Sequence, residues 1–129
     1  MELPGSHYKY SQKHAEITKI VVNYLKKEGY HVKAKNIRSS LDSPQKLQGF
    51  TPDIYAEKNF NKIIAEVETC ESLLGKDLVK WKRFSNNGNK FWVIVPEHCL
   101  NKAIIKKETF NLPYEIYYIT NSGELKSLT

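Results

Sequence analysis

The amino-acid sequence predicts an α/β protein in which helices cover both faces of a mixed sheet, in the order α-β-β-β-α-β-α-β. Three observations lead there. The chain opens on an amphipathic helical stretch, two strand-like runs then flank a short polar turn, and helix-period and strand-period segments alternate to the end. With 129 residues, 40% of them hydrophobic and 26% charged, residues 1–129 are expected to form a single domain with its own core.

From Ser11 to Lys27 the apolar residues Ile17, Ile20, Val21, Tyr24 and Leu25 fall at helical spacing, Lys26 and Lys27 occupy the last turn, and Gly29 can end it. The start can lie as early as Ser6. His31 to Ile37 reads as a strand, and Arg38 to Gly49, rich in Ser, Asp and Pro, as a polar loop. Thr51 to Ala56 and Ile63 to Thr69 make a hairpin around the polar stretch between them. Glu71 to Ser85 is expected to be one helix with Leu74, Leu78 and Trp81 on its inner face. Phe91 to Val95 is a continuous apolar run stopped by Pro96, as in a strand covered on both faces. Leu100 to Lys107 reads as helix and Tyr114 to Thr120 as a last strand, so strand, helix, strand implies parallel pairing through a crossover.

No apolar run approaches the roughly 20 residues of a membrane span, and the opening MELPGSHYKY lacks the apolar core of a secretory signal. A cytoplasmic protein with no membrane partner is expected. Cys70 and Cys99 are too few for a disulfide framework and lack the local spacing of a zinc site, so free thiols, buried or half-buried, are expected. Twenty Lys and Arg against fourteen Asp and Glu give a net charge of +6, compatible with a polyanionic partner and equally with a solvated basic surface.

The hairpin holds the chemistry. A turn centred between Asn59 and Phe60 sets Asp53 opposite Glu66, and Glu68, two residues further along, shares the face of Glu66. Three like charges converge there and repel, unless something neutralises them. Oxygen ligands of this kind suit Mg2+ or Mn2+. The competing interpretation puts Glu66 and Glu68 on the solvent face of an edge strand, but Ile64 shares that face.

Gly49-Phe50-Thr51-Pro52-Asp53-Ile54 followed by Ile63-Ile64-Ala65-Glu66-Val67-Glu68 resembles the motif of the PD-(D/E)xK nuclease superfamily, which includes restriction endonucleases and archaeal Holliday-junction resolvases. The resemblance implies a restriction endonuclease-like sheet and divalent-metal-dependent hydrolysis of DNA phosphodiester bonds. It matches Pro52 and Asp53 to the PD element and Glu66 to the acidic position, and it puts Glu68 where the family usually has lysine. Asp53 and Glu66 are then the expected metal ligands, with the Val67 carbonyl as a third and Glu68 as a ligand or water-positioning base. Glu16 on the first helix, flanking the apolar face beside Ile20, is a further candidate ligand, and His14 has a weaker claim as an acid.

Lys76, Lys80 and Arg83 form one stripe at i, i+4 and i+7 on the expected helix after Glu68, suited to holding DNA phosphates. Lys80, or Lys76, would supply the relocated catalytic lysine. Paired sites in a homodimer are compatible with this reading. The alternatives are a catalytically inactive nucleic-acid-binding module and a regulatory, protein-binding subunit on the same fold. Trp81, Phe91, Trp92, Tyr117 and Tyr118 sit at positions expected to pack the core.

Overall fold

The computed structural model describes residues 4–35, 44, 46, 51–75, 78–85 and 88–128, with side chains from residue 13 onward. Helix α1 (Pro4–Lys27) leads into strand β1 (His31–Ala34), which is followed by the hairpin of β2 (Ile54–Lys58) and β3 (Asn61–Val67). A 3-10 turn (Ser72–Leu74) and helix α2 (Leu78–Phe84) lead to β4 (Lys90–Pro96). A second 3-10 turn (Glu97–Cys99) runs into α3 (Leu100–Phe110), and β5 (Glu115–Ile119) and β6 (Leu125–Ser127) close the described chain.

The six strands form one sheet in the order β1-β2-β3-β4-β5-β6. The β1–β2, β2–β3 and β5–β6 pairs are antiparallel, and β3–β4 and β4–β5 are parallel. This is the mixed α/β sheet read from the sequence, an antiparallel meander extended by parallel strands. Strand β6 was not anticipated: its three residues, Leu-Lys-Ser, carry too little pattern to register as a strand.

Helices cover both faces. Ile17, Val21 and Leu25 of α1 pack with Ile54, Ile63, Ala65 and Ile94. On the opposite face, Trp81 and Phe84 of α2 and Ala103 of α3 pack with Ile64, Phe91, Val93 and Val95. Both crossovers, β3 to β4 and β4 to β5, lie on this second face, as two crossovers of one hand between successively added strands must. Alternate residues of β3 therefore feed two cores, and Glu66 lies within the second face rather than on a solvent-exposed edge.

The hairpin register agrees with the sequence: Ile54 faces Ala65 and Lys58 faces Asn61, leaving the two-residue turn Asn59-Phe60. Asn59 takes the left-handed conformation (φ 56°) that asparagine tolerates well.

Two expectations fail. The segment 71–85 is not one helix: the 3-10 turn ends at Gly75, whose backbone is extended (φ −73°, ψ −175°), and α2 starts afresh at Leu78. Leu74, expected on the inner face, is consequently exposed. The buried Lys106 reaches from α3 to cap this turn, donating to Leu73 O at 2.7 Å and Gly75 O at 3.3 Å. The cysteines are not free thiols: Cys70 and Cys99 form a disulfide, with Cα atoms 5.1 Å apart. They are 29 residues apart in sequence, and only the side-by-side exits of parallel β3 and β4 bring them together.

Candidate metal centre

β3 leaves the sheet at Val67, and β2 enters it at Ile54, so Asp53, Glu66 and Glu68 gather at one end of the sheet. That end is the carboxyl end of the parallel strands, where open α/β sheets form their ligand sites. One carboxylate oxygen from each of the three residues lies within 4.8 Å of the other two, and all three residues are buried.

The carboxylates also complete the open end of the hairpin. Asp53 donates its backbone N–H to Glu66 Oε2 at 2.8 Å, and Val67 donates its N–H to Asp53 Oδ2 at 2.9 Å. Val67 thus enters the site through its amide. N–H and C=O of one strand residue leave on the same side, so its carbonyl is directed toward Asp53 as well. The next residue turns the other way, with Glu68 N–H bonded to Ile94 O at 2.9 Å.

Three basic side chains lie against the cluster. Lys80 of α2 places Nζ 2.6 Å from Glu66 Oε1. His14 Nε2 lies 3.3 Å from Asp53 Oδ2, and Lys35 Nζ lies 3.6 Å from Asp53 Oδ1. Both oxygens of Glu66 accept hydrogen bonds, an arrangement suited to the carboxylate. Burial, joined by the Asp53 charge, nevertheless outweighs Lys80 and raises Glu66 from 4.5 to about 8. Burial also acts to raise Asp53, but the His14 hydrogen bond and charge, the Val67 amide and Lys35 together hold it below its ordinary value. His14 is raised, chiefly by the hydrogen bond to Asp53. Tyr114 is raised by burial and by the charge of Glu68. These groups form one electrostatic unit under the end of the sheet.

Glu16 does not join them. It is exposed, whereas His14 lies on the buried stripe of α1 with Ile17, Thr18, Val21, Val22 and Leu25. That stripe was partly concealed by Thr18, a polar residue that is 1% exposed, so the apolar pattern centred the inner face too near Ile20 and Tyr24. The i, i+3, i+7 and i+11 spacing of His14, Ile17, Val21 and Leu25 was the available signal. Lys35 gave none, because it meets Asp53 only when β1 pairs with β2. Lys76 lies outside the described residues. Lys80 turns inward to Glu66, and Arg83 is exposed on α2.

The donor set fits a hard divalent cation. Adjacent oxygens on one octahedral Mg2+ are about 3 Å apart and opposite ones about 4.2 Å, so carboxylates within 4.8 Å of one another close by up to about 1.8 Å on binding it. No protein-family model, no curated protein and no solved structure matches this chain.

Proposed function

We propose that this protein is a divalent-metal-dependent endonuclease that hydrolyses DNA phosphodiester bonds, on a restriction endonuclease-like variant of the mixed sheet. The observation that carries the reading is the buried triad Asp53, Glu66 and Glu68, with a lysine drawn onto Glu66 from the following helix. That lysine answers the departure at Glu68, where the PD-(D/E)xK pattern has its own. Asp53, Glu66 and Glu68, with the Val67 carbonyl, would hold Mg2+ or Mn2+. The bound ion would polarise the phosphate and make water a nucleophile at neutral pH.

The chain's own groups have separable tasks. Lys80 supplies a positive charge beside the site for the scissile phosphate or the leaving oxygen. Glu68 positions the attacking water or takes its proton. Arg83 and Lys76 contact phosphates along the substrate, and a homodimer would present two sites to two strands. His14 orients Asp53 through their hydrogen bond.

One observation favours a second reading, a catalytically inactive DNA-binding module. Lys80, His14 and Lys35 already neutralise much of the cluster without an ion. The deciding experiment is a cleavage assay on duplex, flap, four-way-junction and single-stranded DNA with Mg2+, Mn2+ or EDTA, run beside melting curves. Cleavage that needs the ion and disappears in Asp53→Asn is expected. Glu68→Ala and Lys80→Ala then separate the base from the charge donor. With neither cleavage nor a metal-dependent melting shift, the enzyme reading fails.

A further inference from the structure

We propose that Cys70, His98 and Cys99 form a second metal site, specific for a soft or borderline cation such as Zn2+, which becomes available when the disulfide is reduced. The inference is independent of the carboxylate centre. Its ligands differ in kind, and Mg2+ or Mn2+ would not be held by them.

One ligand atom from each of the three residues lies within 4.8 Å of the other two. Tetrahedral zinc with Zn–S of about 2.3 Å separates two thiolates by about 3.8 Å, which cysteines with Cα atoms 5.1 Å apart can span once the bond between the sulfurs is broken. The backbone at both cysteines is positioned by structure other than the disulfide. Cys70 follows the exit of β3, where Glu68 N–H bonds Ile94 O and Leu73 N–H bonds Thr69 O. Cys99 ends the 3-10 turn after β4 and is the N-cap of α3. His98 is exposed, so its ring is free to turn toward the sulfurs and leaves a fourth position for water. Glu71 and Glu97, both exposed and adjacent in sequence to this cluster, add negative charge that favours a cation.

The two states exclude each other. A dithiol reductant delivers two electrons and two protons, the Cys70–Cys99 bond breaks to two thiols, and the reductant becomes a disulfide. Zn2+ then binds both sulfurs as thiolates and releases the two protons, while neutral His98 donates its ring nitrogen. The ion would tie together the same two strand exits that the disulfide ties. In a reducing compartment the metal form replaces the bridge.

Cobalt is the probe. The full chain, reduced with a phosphine under anaerobic conditions, is titrated with Co2+ while absorbance and far-ultraviolet circular dichroism are recorded. One Co2+ per chain should bind with a thiolate-to-cobalt charge-transfer band that Zn2+ abolishes, and the oxidised protein should show no such band. The band should persist in Asp53→Asn, which separates this site from the carboxylate centre. Cys70→Ser should lose it. His98→Ala retains both cysteines and, because His98 is exposed, should fold with the disulfide intact. After reduction it should bind Co2+ about a hundredfold more weakly or worse, since even outer partners of ligands contribute ten- to a hundredfold. The proposal is overturned by absence of the band in the reduced parent, by undiminished affinity in His98→Ala, or by a reduced chain that unfolds and that Zn2+ does not refold.

Discussion

Replacing Glu66 by glutamine exposes the electrostatics of the carboxylate centre. Glu66 is 1% exposed, and burial together with Asp53 raises its carboxyl from 4.5 to about 8. A carboxyl raised on folding contributes stability in full below its unfolded value, and that contribution is lost as pH rises through the folded value. From 4.5 to about 8, at about 1.4 kcal/mol for each tenfold change in proton affinity, the loss is at most about 5 kcal/mol.

Glutamine imitates the protonated form: it is neutral and offers one good acceptor to the two donors, Lys80 Nζ and Asp53 N–H, that Glu66 now satisfies. Parent and Glu66→Gln should therefore have similar stability near pH 4.5. The variant should become the more stable as pH approaches about 8, by up to the same 5 kcal/mol. Denaturant unfolding of both proteins at intervals of pH, with EDTA present, measures the difference and cancels the titrating groups that do not interact with Glu66. Parallel profiles would refute the raised Glu66. With Mn2+ added, the ion competes with one proton, so the parent's apparent affinity should rise about tenfold per pH unit and level off above about 8. An affinity independent of pH would remove Glu66 from the ligand set.

Asp53→Ala should destabilise the metal-free protein by about 1–3 kcal/mol, because the buried Val67 N–H loses its acceptor; repulsion relieved within the cluster offsets part of this. Asp53→Asn keeps an acceptor and should cost less, and denaturant melts compare the two. His14→Gln should be destabilising at acid pH and converge on the parent in alkali. The reason is that a histidine with a raised folded pKa contributes fully below 6.5 and loses that contribution as pH climbs through its folded value. Melting curves of both proteins across that range check it, and a constant difference would contradict the Asp53 partnership. Arg83→Ala should flatten the logarithmic salt dependence of DNA affinity by about one counterion, equally for unrelated sequences. An unchanged slope in a fluorescence anisotropy titration would take Arg83 out of the interface.

The local pattern of the chain contained the hairpin and its register. The turn at Asn59-Phe60 and the alternation of Ile63, Ala65 and Val67 with Ile64, Glu66 and Glu68 sufficed to align Asp53 with Glu66, because strand pairing across a two-residue turn is set by neighbours in sequence. The α/β class was legible for the same reason, since periodicity is a local property. Other features depended on residues far apart in the chain. Two helix-covered faces buried β3 on both sides and took Glu66 out of water. Pairing of β1 with β2 delivered Lys35 to Asp53, and the rotation of α1 about its buried Thr18 chose His14 over Glu16. The parallel alignment of β3 with β4 brought Cys70 to Cys99. A sequence encodes which residues can carry charge or bond to sulfur. Burial and partnership, which move a carboxyl to about 8 or close a disulfide, are properties of the assembled sheet.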